Sequence, residues 1–175
     1  MLRITSLLAG FGLLLLLGCK QTDEATIAPT VPTSMVGNWK VSAFTFNPAW
    51  RVLVNGSPER FTDYVTYLKR INETCLTDVV WTFTKSGGLS TNLGSVPCED
   101  KGGNSRLIID SFVEPNASYV ETSNVLNIRG TGNQTGMDFT KTFGPGNTVN
   151  LQWKDTHDMS NELVETVYTF TLTKQ

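Results

Sequence analysis

The sequence predicts an all-β chain, with seven or eight antiparallel strands closed into a barrel or stacked as a sandwich. Two observations carry this. From Val36 onward, apolar and polar residues alternate with period two, the repeat of a strand with one buried face. Between the alternating runs lie "SGG", "GTGNQTG" and "FGPGN", whose Gly, Asn and Pro are turn chemistry. Short strands joined by short turns build antiparallel barrels and sandwiches. Closure into a barrel also removes exposed sheet edges.

Taken in order, "GNWKVSAFTF" (37–46) puts Trp39, Val41 and Ala43 on one face of a first strand. "DVVWTFTK" (78–85) groups Val79, Trp81 and Phe83. "RLIID" (106–110) and "VLNIRG" (125–130) read as shorter strands. "GMDFTKTFG" (136–144) sets Met137, Phe139, Lys141 and Phe143 against Asp138, Thr140 and Thr142. "TVNLQWK" (148–154) alternates Val149, Leu151 and Trp153 with Asn150 and Gln152. "ELVETVYTFTLT" (162–173) puts Val164, Tyr168, Phe170 and Leu172 together.

One segment breaks the period. "SPERFTDYVTYLKRIN" spaces Phe61, Tyr64, Val65, Leu68 and Ile71 as a helix does. Ser57 suits an N-cap and Pro58 a first helical residue. Glu59 and Asp63 lie early, and Lys69 and Arg70 late, as the helix dipole prefers. The expectation is one short helix over 58–73, between the first and second strands, with Phe44 and Phe46 beneath it.

The N-terminus has a different composition. One basic residue, Arg3, precedes an uncharged, mostly apolar run from Ile4 to Leu17, too short to span a bilayer as a helix. That is a secretory signal pattern. Its end, Leu16-Leu17-Gly18-Cys19, resembles the bacterial lipobox. The resemblance implies cleavage after residue 18 and acylation of Cys19. With Lys20 rather than Asp after the cysteine, it also implies sorting to the outer membrane, on its periplasmic or surface-exposed face. Two or more acyl chains would make attachment stable, since a single chain anchors only marginally. Residues 20–34, "KQTDEATIAPTVPTS", read as a solvated tether. The expected organisation is signal peptide 1–18, lipidated Cys19 with tether to 34, and one domain over 35–175.

Formal net charge is −2, and no basic block is present, which argues against nucleic acid as a partner. With Cys19 acylated, Cys75 and Cys98 remain as a pair in an oxidising compartment, where a structural disulfide is expected. A redox or metal pair is the other reading. Only one His, His157, is present to join it, in the polar turn "KDTHDMSNE" beside Asp155 and Asp158. No nucleophile motif accompanies that His, and the acidic loops lack EF-hand spacing. No catalytic residue, metal or cofactor is assigned.

The segment "MVGNWKVSAFTFNPA", with Gly37-Asn38-Trp39, resembles the opening of lipocalin-like domains. "CLTDVVWTFTKSGG" resembles a further signature of the lipocalin-like lipoproteins of Bacteroidetes: Cys75, Asp78, Phe83 and a Gly turn, with Cys98 beyond. "ETVYTFTLTK" resembles their closing strand. The resemblance covers most of 36–174, although the middle lacks the family's Gly-x-Trp-x-Leu strand. It implies an up-and-down lipocalin-like barrel of about eight strands that binds small apolar molecules.

Lys141 shares a face with apolar residues. If that face lines the barrel, its ammonium needs a counter-charge. A ligand carboxylate, shared with the Tyr168 hydroxyl, would supply one; so would water at a barrel mouth. Trp81, Phe83, Phe139, Leu151, Trp153 and Phe170 either line a cavity or fill a small barrel. Trp39 is expected to plug the closed end. Two functions follow: a lipid-anchored carrier of a small hydrophobic, fatty-acid-like ligand, or a non-enzymatic interaction module with a filled barrel.

Overall fold

The computed structural model describes residues 31–54, 56–99, 101–102, 104–114, 117–130, 136–159 and 162–175; of 157–159 and 162 it describes the backbone alone. The expected signal segment, Cys19 and the expected tether as far as residue 30 lie outside the described residues.

Among the described residues nine strands form one antiparallel sheet: β1 (Gly37–Val54), β2 (Ser57–Asp63), β3 (Val80–Phe83), β4 (Gly88–Thr91), β5 (Ala117–Glu121), β6 (Val125–Arg129), β7 (Met137–Gly144), β8 (Thr148–Met159) and β9 (Glu162–Lys174). Neighbours follow sequence order from β3 to β9, and β1 pairs with both β3 and β9. Eight strands therefore close an up-and-down, lipocalin-like barrel, and β2 is an added ninth beside the far half of β1. Among the described residues three α-helices accompany the sheet: α1 (Tyr64–Arg70), α2 (Cys75–Asp78) and α3 (Ser105–Phe112).

The two ends of the barrel differ. At the end where β1 begins lie the β3–β4, β5–β6 and β7–β8 turns and the end of β9. Tight turns suit it: Gly146 (φ +68°) and Asn147 (φ +57°) carry the chain from β7 to β8 in the left-handed region, where Gly and Asn are tolerated. This is the closed end. The helices and the β1–β2 and β8–β9 hairpins gather at the other, helical end.

Several expectations change here. Strand β1 slips register between Val41 and Ala43 against β9, so Ser42 is an extra residue. A bulge of this kind reverses the phase of the strand. Trp39 and Val41 face inward, and beyond the bulge Phe44 and Phe46 do so in place of Ala43.

The helix expected over 58–73 is half strand. Residues 57–61 pair with Trp50–Val54, and the helix begins only at Tyr64. The signal for this was Asn55-Gly56, the favoured two-residue hairpin turn, between two strand-like runs. Asp63, not Ser57, is the N-cap. Its carboxylate accepts from Val65 N, Thr66 Oγ1 and Phe44 N, tying helix to barrel.

The "RLIID" strand is helix α3. Its buried residue is Ile109 while Leu107 is exposed, and Phe112 follows at helical spacing. The Glu73 carboxylate caps it from outside, accepting from Ser105 N at 3.1 Å and Lys101 N at 3.3 Å. The polar turn placed around His157 is also strand: β8 runs through it, with His157 opposite Val164. Strands β4 and β5, which carry only short alternating runs, had no counterpart in the expected set.

Candidate functional site

The inner face of the barrel is aromatic. Phe44 stacks on Phe170 with centroids 4.3 Å apart, and Trp153 stacks on Tyr168 at 4.9 Å. Trp81 meets Phe170 at 5.7 Å, and Phe139 meets Trp153 at 5.4 Å. Phe83 pairs with Tyr119 at 5.1 Å, away from this group. Trp81, Phe83 and Phe139 are each 1% exposed, and Phe170 and Leu151 are 0% exposed. Rings in edge and offset contact at these spacings fill an interior of eight strands with side chains.

Helix α3 completes the packing from the helical end. Phe112 reaches in to within 5.0 Å of Phe170 and 5.1 Å of Trp153, centroid to centroid. A cavity of about 50 Å³ lies beside it, lined by Ile128, Met137 and Phe139 among others. Helix α1 caps the core through Tyr64, which touches Phe44 and Phe46. Among the described residues three buried polar side-chain atoms have no hydrogen-bond partner: Trp81 Nε1, Ser105 Oγ and Thr166 Oγ1.

Lys141 and Tyr168 make contacts in different parts of the barrel. Tyr168 stacks among Trp153, Trp50 and Phe44, and burial of its phenol raises its pKa above the ordinary value. Lys141 belongs to the closed end, where its backbone N–H donates to the Asn124 carbonyl at 2.7 Å. Its ammonium, with the side chain 1% exposed, lies 2.7 Å from the Glu121 carboxylate. Glu121 was not singled out from sequence, because it ends β5, a strand absent from the expected set, 20 residues before its partner.

Glu121 is the hub of the closed end. Besides Lys141, it accepts from Ser34 Oγ at 2.7 Å and from Met35 N at 3.1 and 3.3 Å. Burial alone would raise the carboxyl; the hydrogen bonds from Lys141, Ser34 and Met35 and the Lys141 charge outweigh it and hold it below its ordinary value of 4.5. The chain before β1 is thus drawn into the barrel end. Met35 is 0% exposed, and its carbonyl accepts from Trp39 Nε1 at 2.6 Å. Lys174 lies over the Trp39 ring at 5.4 Å and Lys141 over Phe143 at 5.0 Å. Trp39 does plug this end. Ser34, ahead of β1, is tied to the barrel.

Cys75 and Cys98 form a disulfide with Cα atoms 4.9 Å apart, joining α2 to the loop before α3. Among the described residues no group of three or more His, Cys, Asp or Glu gathers as metal ligands would, and no helix is long and apolar enough to cross a membrane. Outside the barrel, a cleft of about 290 Å³ separates β4 from α3, lined by Ser90, Thr91, Arg106 and Asp110 among others. A second, of about 400 Å³, lies on the outer wall where β2, β1, β9 and β8 adjoin.

Comparison with family models, with curated proteins and with solved structures gives no match for this chain.

Proposed function

We propose that this chain is a lipid-anchored protein of the bacterial outer membrane whose filled barrel serves as a rigid, non-enzymatic interaction module. The observation that carries the reading is the interior itself. Its rings are in mutual contact, with Trp81, Phe139 and Phe170 at 0–1% exposure, and the one buried cation among the described residues, Lys141, is already neutralised by Glu121. A barrel packed in this way offers its outer surface and its ends to partners.

The anchor is supported by the signal pattern and by Leu16-Leu17-Gly18-Cys19. The tether then enters at the closed end, and the helical end faces away from the bilayer. Three large apolar residues are exposed there: Leu53 (71%), Leu107 (66%) and Leu163 (76%). Membership of the lipocalin-like lipoproteins of Bacteroidetes is part of this proposal and rests on the Gly37-Asn38-Trp39, Cys75…Cys98 and closing-strand segments.

A second reading has its own observation. The buried Trp81 Nε1–H, without a hydrogen-bond partner, suits one acceptor of a small hydrophobic ligand. In that reading α3 is displaced to admit it, and Trp81, Phe83, Phe139, Trp153, Lys141 and Tyr168 are the residues to test. Native mass spectrometry of the purified chain, together with titration by a fluorescent fatty acid, separates the two. A clean protein mass and no probe uptake are expected. A stoichiometric co-purifying lipid, or uptake lost in Lys141→Met, overturns the filled-barrel reading in favour of the carrier.

A further inference from the structure

The outer-wall cleft of about 400 Å³ is lined by Thr45, Phe46, Asn47, Thr62, Gln152, Val167 and Thr169. Its origin lies in the pairing of β1. Against β9, the outward rows are Thr45 with Thr169 and Asn47 with Val167, and Thr169 pairs on with Gln152 of β8. Against β2, the register jumps from Thr45↔Asp63 to Trp50↔Phe61, so four residues of β1 stand opposite Thr62 alone. The extra chain bends β1, and a wall that is otherwise convex becomes concave there.

The lining has a specific chemistry. None of its residues is ionisable, in a chain that is 17% charged. Three hydroxyls and two carboxamides can donate and accept, and the Val167 methyls add an apolar surface. The Gln152 amide already donates to Thr169 Oγ1 at 3.3 Å, which orients both groups. The charges at its margin are already engaged: Lys154, opposite Val167, lies 2.8 Å from Glu165, and the Asp63 carboxylate, opposite Thr45, accepts from Phe44 N, Val65 N and Thr66 Oγ1. A lipid tail would leave the hydroxyls and amides unpaired, at a penalty. A neutral, polyhydroxylated molecule matches: its hydroxyls pair with Thr and carboxamide groups, and its C–H face covers Val167.

We infer that this cleft is a binding site for a neutral saccharide. The site is independent of the lipid anchor and of whether the barrel interior is filled. Its polar groups are exposed or half-buried, with no aromatic platform, so binding is weak, about millimolar.

The test is amide chemical-shift mapping on the isotope-labelled chain. Maltotriose, cellotriose, mannotriose and tri-N-acetylchitotriose are the neutral probes, with trigalacturonate as the charged control. At least one neutral trisaccharide is expected to shift the amides of Thr45, Asn47, Thr62 and Thr169 and the Gln152 side-chain amide, with trigalacturonate silent. Both Gln152→Ala and Thr169→Val lie on the outer wall; each is expected to weaken binding about tenfold, the effect of one lost hydrogen bond. Wild-type-like spectra in the free variants establish that they fold. Silence with all four neutral probes, shifts mapping elsewhere, equal shifts with trigalacturonate, or unchanged binding in both variants overturns the assignment.

Discussion

The Lys141 ammonium lies 2.7 Å from the Glu121 carboxylate, and the two ends of the pair are unequal: the Lys141 side chain is 1% exposed and that of Glu121 22%. Their removal should therefore be unequal too. Glu121→Ala strands a buried ammonium and frees Ser34 and Met35, with an expected loss of about 3 kcal/mol or more. Lys141→Met leaves a carboxylate that still reaches water and still accepts from Ser34 and Met35, with an expected loss of about 1–2 kcal/mol. The double variant Glu121→Leu/Lys141→Met should lose less than the sum, because neither charge is left alone. Urea denaturation of the four proteins measures this; equal losses in the single variants would contradict it.

The same carboxylate makes stability depend on pH. Its folded pKa lies below the ordinary 4.5, so between the two values the unfolded chain binds the extra proton. The contribution is present in full above about pH 4.5 and is lost as pH falls through the folded value. Thermal melts from pH 7 down to pH 3 should show wild type losing more than Glu121→Gln. Parallel curves would mean that another carboxylate governs the acid limb.

The Cys75–Cys98 bridge closes a loop across a sequence separation of 23. In the chain-entropy treatment such a loop is worth roughly 3 kcal/mol. Cys75→Ala/Cys98→Ala should therefore melt lower, and dithiothreitol should lower the melting temperature of wild type but not of the variant. Since the bridge holds the loop leading into α3, amide exchange in α3 should rise more than in β7–β9.

Phe112 is the part of α3 that touches Phe139, Trp153 and Phe170. Phe112→Ala should cost about 3 kcal/mol by the lost contact and the space left behind. It should also admit an apolar dye that wild type excludes. A variant as dye-proof as wild type would show that the helix is not the cover of the interior.

Asp63 holds Val65 N, Thr66 Oγ1 and Phe44 N together. Asp63→Ala should cost about 1–2 kcal/mol, and Asp63→Asn distinctly less, because the amide oxygen can still cap. Equal losses would show that charge, not capping, carries the effect.

Some of this architecture was legible from residues alone. The period-two runs of β7, β8 and β9 identified inward and outward residues, and the Trp81 and Phe83 face of β3 came with them. The partnership of Cys75 and Cys98 followed from the count of cysteines and the expected compartment. Those signals are local or compositional. They need only the alternation of side chains along a strand and the preference of Gly, Asn and Pro for turns.

What the residues alone left open depended on contacts distant in sequence. Residues 57–61 read as the start of a helix, Ser57 as its cap and Phe61 as the first apolar residue of its face, yet the edge of β1 at Trp50–Val54 takes them as a strand. Residues 106–110 resemble a short strand until Phe112 finds a place among Trp153 and Phe170, and Glu73 caps the N-terminus of the helix. Lys141 called for a counter-charge; only the folded barrel brings Glu121 to it and draws Ser34 and Met35 in behind. A strand pattern states which side chains lie inward. What they meet there is set by register and closure, and those depend on how all nine strands pair at once.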